Sequence, residues 1–337
     1  MQLQQRINAF TKLGTFLSEW SQDTDNAALL QAKAQNGWFT PDNLQFALES
    51  WGKALQQTNL ESWTANYSFS ENTASKTIAI VMAGNIPLVG FHDFLSVLMS
   101  GHKVLAKLSS NDRVLLPYLA KELITIEPAF ASYIRFTEDK LEGFDAVIAT
   151  GSNNTARYFD YYFGKYPNII RKNRNSVAVL TGNESKAQME ALAGDVFQYF
   201  GLGCRNVSKV YLPEDYDFDA FFNGMYAWKE IIYNDKYINN YDYNKAVYLM
   251  SDVSLLDNEF MLLKEDTQFS SPISVVFYER YKDLDHLKDH LSENQENIQC
   301  IVGQTGWEGE IPFGEAQSPK LWDYADGVDT LKFLLEL

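Results

Sequence analysis

Apolar residues recur at two different periods along this chain, and the alternation between the two outlines an architecture. Phe10, Leu13, Phe16 and Leu17 return at helical spacing, and Pro41 followed by Asp42 marks a further helix start. Residues 1–60 therefore read as two or three polar, amphipathic helices. Lys76–Met82 (KTIAIVM) has the β-branched, apolar pattern of a strand and runs straight into Ala83-Gly84-Asn85-Ile86-Pro87. The nearly continuous apolar run Leu88–Ser100 predicts a buried helix, with Gly101 as its C-cap. A second strand is expected at His102–Lys107, then a turn at Ser109-Ser110-Asn111-Asp112 and a helix from Arg113 to Thr125. Asp145–Ala149 reads as a third strand, ending in Thr150-Gly151-Ser152-Asn153 ahead of another helix, and Val177–Leu180 as a fourth. Strands alternating with helices at this spacing predict parallel βαβ units and a doubly wound α/β sheet. Ligands of such sheets sit at the carboxyl ends of strands, where each of these polar clusters falls.

The second half changes character. Asp195–Gly203 leads to Cys204, and Val207–Leu212 reads as a strand ending at Pro213. Ser274–Tyr278 and Gln299–Val302 look like further strands. Residues 214–245 are dense in aromatics, with Tyr226, Trp228, Tyr233, Tyr237, Tyr241 and Tyr243. Two readings stand side by side here, an apolar tunnel or interface and a wet helical surface layer.

Composition narrows the class. The 337 residues suggest two domains or one large unit with an insertion, and 46% hydrophobic with 21% charged residues is ordinary for a chain that buries a real core. No stretch approaches the roughly 18 apolar residues of a membrane helix, and MQLQQRINAF lacks the apolar segment of a secretory signal. The expectation is a soluble, cytoplasmic protein. A net charge of −16 argues against nucleic acid as a partner. Phosphate-bearing ligands would need locally concentrated cations, and two clusters exist: Lys103, Lys107 and Arg113, then Arg171, Lys172 and Arg174. By composition alone both are solvated loop charges.

Two cysteines, Cys204 and Cys300, make neither a disulfide framework nor a zinc site. His286 and His290 stand four apart on a helical pattern, but Asp and Lys surround them, so a solvated face is expected and no metal. Cys204 lies in Gly201-Leu202-Gly203-Cys204-Arg205-Asn206, where glycines let a ligand approach and Arg205 supplies a nearby cation. A lone cysteine in an α/β chain is otherwise a small buried hydrophobe, and Cys300, between Ile298 and Ile301-Val302, suits that description. No G-x-G-x-x-G follows any strand, although the Gly151-Ser152 turn suits a pyrophosphate at a helix N-terminus.

Taken in series, Gly84-Asn85-Ile86-Pro87, Lys107-Leu108-Ser109-Ser110, Thr150-Gly151-Ser152, Gly203-Cys204 and Ile311-Pro312-Phe313-Gly314 resemble the aldehyde dehydrogenase superfamily. Within it the chain is most similar to the acyl-CoA reductase family of bacterial bioluminescence, the fatty-acid reductase component. The ending Leu321-Trp322-Asp323-Tyr324-Ala325-Asp326-Gly327-Val328-Asp329 looks like that family's tail, and the resemblance covers roughly residues 76–335. It implies Cys204 as the nucleophile that becomes a thioester. The Asn85 amide with the Cys204 N–H would form an oxyanion hole. Lys107, with Ser109 and Ser110 in its turn, would meet the adenosine ribose, and Gly151 and Ser152 the pyrophosphate.

Departures from the superfamily pattern refine this picture. The Glu of the hydrolytic enzymes' Glu-Leu-Gly-Gly segment has no counterpart in Arg171-Lys172-Asn173-Arg174-Asn175-Ser176, so water should attack a thioester slowly and CoA becomes the expected acyl partner. Arg171 and Arg174 are candidates for its phosphates. NAD-specific members carry a Glu where this chain has Ser110, so NADPH is expected as cofactor. The Glu-x-Phe-Gly-Pro segment is reduced to Gln268-Phe269-Ser270-Ser271-Pro272.

The expected fold is aldehyde-dehydrogenase-like α/β. A doubly wound cofactor domain would span 1–172, an α/β catalytic domain 173–315, and a tail 316–337 would pack back. The length is short for the superfamily, which suggests a trimmed oligomerising arm; a homo-oligomer or an acyl-delivering protein partner both fit. Three activities compete: NADPH-dependent reduction of an apolar acyl-CoA to an aldehyde, reduction of an acyl phosphate or acyl-protein at the same centre, and a non-enzymatic acyl- or partner-binding subunit. Retention of both Asn85 and Cys204 argues against the last.

Overall fold

The computed structural model describes residues 1–70 and 74–337 and divides into two compact units, Met1–Asn173 with Lys320–Leu337, and Arg174–Pro319. In the first, the N-terminal stretch folds into four helices rather than two or three: α1 (Leu3–Trp20), α2 (Ala27–Gln35), α3 (Pro41–Ala54) and α4 (Gln57–Thr64). The expected start at Pro41 is present. The Thr40 hydroxyl accepts from Asn43 N–H, proline occupies the first turn where no amide partner is needed, and Asp42 faces the positive end of the helix.

A parallel five-stranded sheet follows. Its elements are β1 (Thr77–Val81), α5 (Phe91–Ser100), β2 (Lys103–Lys107), α6 (Leu115–Ile126), β3 (Ile134–Thr137), β4 (Ala146–Thr150), α7 (Asn153–Phe163) and β5 (Asn168–Arg171). The spatial order is β3-β2-β1-β4-β5, with Ile78 opposite Val104 on one side and Ala146 on the other. Ile78, Ala79 and Ile80 are all buried, the continuous apolar run of a strand covered on both faces. Helix α5 starts at Phe91 rather than Leu88, because Pro87 and a left-handed Leu88 (φ 57°) spend three residues turning the chain. Gly101 ends it at φ 90°, a conformation glycine adopts without strain. Strands β3 and β5, four residues each, escaped the sequence pattern because neither carries a sustained apolar run.

The C-terminal segment belongs to this unit. Leu321 and, from α12 (Thr330–Leu335), Leu331 and Leu334 join the core of α1, α5 and β1. Trp63 Nε1 donates to the Tyr324 hydroxyl (2.7 Å), Tyr67 Oη donates to Asp329 Oδ2 (2.9 Å), and His92 Nε2 and His102 Nε2 lie 2.9 Å from the carbonyls of Leu321 and Leu334.

The second unit contains β6 (Asn175–Val179), α8 (Lys186–Phe197), β7 (Val207–Pro213), α9 (Phe218–Met225), a 3₁₀ segment (Tyr226–Tyr233), α10 (Asp235–Met250), β8 (Leu256–Asp257), β9 (Leu262–Glu265), β10 (Val275–Tyr281), α11 (Leu284–Glu293) and β11 (Ile298–Gly303). Its sheet runs β11-β6-β7-β10-β9-β8 and is parallel except for β8 against β9. The tyrosine-rich stretch is a helical layer with one inward stripe. Tyr237, Tyr241 and Asn244, at helical spacing, are buried, whereas Tyr226, Tyr233 and Tyr243 are exposed. No helix among the described residues is long and apolar enough to cross a membrane. Nor do His, Cys, Asp and Glu gather there into a metal-holding group, His286 and His290 included.

Candidate active site

In the first unit, Asn85, Ser109, Ser110, Gly151 and Ser152 all follow the carboxyl ends of adjacent strands. The order reverses between β1 and β4, so the Asn85 loop and the Gly151-Ser152 turn flank the sheet's switch point. The Asn85 loop is tightly held. A Cβ on Gly84 would lie 2.6 Å from Ser109 Oγ and 2.7 Å from its Cβ, so glycine is what lets the two loops touch. Buried Asn36 ties them further, its Nδ2 donating to the carbonyls of Gly84 and Asn111 at 3.3 Å each. Asp112 Oδ2 accepts from the N–H of strained Leu88 (3.4 Å), and Oδ1 from Leu115 N–H (3.3 Å) at the start of α6. Burial pushes the Asp112 carboxyl up to about 6, against the pull of these amides. Neither Asn36 nor Asp112 was legible as a site residue, since each acts on backbone distant in sequence.

Ser152 caps α7, its Oγ accepting from Thr155 N–H at 3.3 Å. A Cβ at Gly151 would press on Thr155 and Phe159 at 3.0 Å, so the glycine lets the helix start close to the strand end. This arrangement suits a pyrophosphate. Lys107 Nζ donates to the Asp139 carbonyl at 3.0 Å, and Ser110 is exposed with no acidic residue in its place.

Arg171 corrects the sequence reading. It is 5% exposed, its guanidinium is ion-paired with buried Asp93, and Nη2 donates to Thr330 Oγ1 (3.0 Å). It is an internal strut of the first unit and not a solvated loop cation available to CoA phosphates. Arg174, in the second unit, is half-buried and donates to the carbonyls of Gln295 (3.1 Å) and Ile298 (3.4 Å).

The second unit presents Cys204 on an exposed turn between α8 and β7. Tyr199, Phe200 and Gly201 precede it with φ of 55°, 58° and 74°, a run of left-handed residues that costs energy at the two aromatic positions and reverses the chain sharply. Buried Asn206 secures the turn. Its Oδ1 accepts from Gly203 N–H (2.8 Å), and its Nδ2 donates to the carbonyls of Asp195 (3.1 Å), Val196 (3.3 Å) and Gln198 (2.8 Å), groups that the end of α8 would otherwise leave unpaired. The Cys204 carbonyl accepts from Ser176 Oγ (3.0 Å), which also lies 3.0 Å from Cys300 Sγ. A small recess of about 40 Å³, walled by Phe197, Phe200, Tyr237, Met261 and Val275, opens beside Phe200 and Gly201.

An exposed thiol on a strained strand-proximal turn in one α/β unit, and glycine-cradled strand ends in the other, belong to the aldehyde dehydrogenase fold. Solved structures agree. Aldehyde dehydrogenase 21 from Physcomitrella patens, in complex with succinate, matches at TM-score 0.73 with 13% identity, over 100% of this chain and 84% of that one. A P. syringae indole-3-acetaldehyde dehydrogenase mutant, in complex with NAD+ and IAA, matches at 0.68 with 12% identity, over 92% and 74%. Aldehyde dehydrogenase from Mycobacterium tuberculosis, complexed with NAD+, matches at 0.64 with 12% identity, over 91% and 74%. No curated protein sequence matches the chain. The family model described as acyl-CoA reductase (LuxC) matches residues 17–220, more than half of the chain. The chain belongs to that family and is an oxidoreductase.

Proposed function

We propose that this protein reduces an apolar acyl-CoA to an aldehyde with NADPH, through a covalent acyl-Cys204 intermediate. The observation that carries the proposal is Cys204, exposed on a turn fixed by Asn206, in a chain of the acyl-CoA reductase family. The Cys204 thiolate attacks the thioester carbonyl, the acyl–S bond to CoA breaks, and CoA leaves as its thiolate. Asn85 and the Cys204 amide donate to the oxyanion of that addition. When bound, the nicotinamide would supply the hydride that reduces the acyl carbon. The carbon–sulfur bond to Cys204 then breaks, the aldehyde departs and the thiolate is regenerated. Ser152 and the amides opening α7 would hold the cofactor pyrophosphate, and Lys107, Ser109 and Ser110 its adenosine end.

Two features support the finer choices. Residues 171–176 carry no carboxylate to activate water, so the acyl enzyme persists until CoA or hydride meets it. An exposed Ser110 opposes no 2′-phosphate. Steady-state reduction of a saturated acyl-CoA series with NADPH and NADH tests this reading: a kcat/KM higher for NADPH is expected, and equal values would remove the cofactor assignment. CoA phosphate contact remains assigned to Arg174 alone, and unchanged CoA affinity in Arg174→Ala would remove it.

A further inference from the structure

One titratable group in the second unit is wholly buried, contacts nothing that reacts, and is still tied to the nucleophile turn from several sides. Asp195, on the last turns of α8, is 0% exposed. Its carboxylate accepts the N–H of Gly314 at 2.6 Å and of Ala316 at 3.0 Å, in the segment that follows Pro312-Phe313. Its own carbonyl accepts from Asn206 Nδ2 (3.1 Å) and Gln317 Nε2 (3.4 Å). Arg205, the residue after Cys204, closes the ring by donating Nε to the Ala316 carbonyl at 2.5 Å. One residue thus joins α8, the Cys204 turn and the segment 314–317.

A neutral helix former at this position would avoid the desolvation that a buried carboxyl incurs. Burial lifts the Asp195 carboxyl to about 6, opposed by the Gly314 and Ala316 amides. The charged groups bearing on it are Arg205 from the turn, which favours ionisation, and Glu315 from the facing segment, which disfavours it. Ionised, Asp195 accepts both amides; protonated, it presents a donor toward one of them.

We propose that Asp195 is the positioning residue of the nucleophile: by holding Gly314 and Ala316 it fixes Arg205 through the Ala316 carbonyl, and with it the orientation of the Cys204 thiol. The proposal rests on the assignment of Cys204 as nucleophile. It does not require that the acyl donor be a CoA thioester.

The test follows iodoacetamide alkylation of Cys204 and Cys300 separately by peptide mass spectrometry, from pH 5 to 8, in the full-length protein and in Asp195→Asn. Acylation by an acyl-CoA is measured in parallel. Asp195→Asn is expected to slow both Cys204 reactions about tenfold or more at pH 7 while Cys300 alkylates as in wild type. Faster alkylation of both thiols marks unfolding of the variant, and the wild-type profile then decides. Below pH 6 the Cys204 rate should fall about tenfold further than loss of thiolate accounts for. A Cys204 profile that follows thiolate alone, or wild-type rates in a folded Asp195→Asn, would overturn the proposal. If Cys204 alkylation depends on Asp195 but no acyl-CoA loads the wild type, the positioning role stands and the acyl-CoA reading falls.

Discussion

The Asn85 loop and the Cys204 turn are braced by similar chemistry drawn from very different distances along the chain. Each has a carboxylate behind it, lifted by burial to about 6 and accepting two backbone amides, Asp112 for the first and Asp195 for the second. Each also has an asparagine that gathers carbonyls, Asn36 and Asn206. Asp112 reaches Leu88, 24 residues away, within a single βαβ unit, whereas Asp195 reaches Gly314, 119 residues away. The asparagines reverse the order: Asn36 reaches Gly84 and Asn111, 48 and 75 residues away, whereas Asn206 reaches Asp195, Val196 and Gln198, 11, 10 and 8 residues away, so each loop rests on one near brace and one distant one. Loss of the carboxylate should therefore cost the Cys204 turn, whose carboxylate brace is the distant one, more than it costs the Asn85 loop.

Substitutions separate the two. Cys204→Ser should abolish aldehyde formation, a loss of at least about 1000-fold, read as NADPH oxidation with trapped aldehyde. Asn85→Ala should lower kcat by about 10²–10³ with little change in NADPH affinity, as expected of one oxyanion donor; an affinity defect with kcat preserved would make it a loop residue only. Arg171→Ala should cost about 3–5 kcal/mol of stability in urea unfolding, because it leaves Asp93 buried without its cation, and should leave CoA affinity unchanged in the folded fraction. Asp112→Asn should lower kcat several-fold, less than Asn85→Ala does, with the KM for NADPH nearly unchanged, since it loosens the loop that carries Asn85 and leaves the Cys204 turn alone.

The smallest effect expected is a divergence of the two units with pH. Burial lowers the pKa of His92 and His102 in the first unit, so folding disfavours their charged forms. Their unfolded forms bind protons below about 6.5, and this stability contribution is lost as pH falls through that value. Asp112 in the same unit and Asp195 in the second have raised values, so the stability tied to their protonated forms is complete below about 4 and lost as pH rises toward 6. Hydrogen exchange at pH 5.5 against 7, corrected for intrinsic rates, should show α5 and β2 less protected while α8 holds or gains. Equal loss in both would contradict these assignments.

What was legible in the sequence follows the same division. Strands β1, β2, β4, β6, β7, β10 and β11 were recognised because buried parallel strands leave unbroken apolar runs. Gly101 was recognised because helix ends need left-handed residues. Phe91 as the true start of α5 was hidden by Leu88, an apolar residue spent on a turn. Arg171 looked like a loop cation because its partners, Asp93 and Thr330, lie 78 and 159 residues away. Asp195 was passed over for the same reason: a charge within an apolar helix pattern carries no sign of the amides it will meet.

The central claim is that Cys204 takes an acyl group from CoA. Intact-protein mass spectrometry after incubation with a panel of acyl-CoAs, without cofactor, compares wild type with Cys204→Ser. A stable acyl adduct on wild type alone, discharged when NADPH is added, is the expected result. No adduct from any acyl-CoA, or an adduct that survives in Cys204→Ser, would contradict the account.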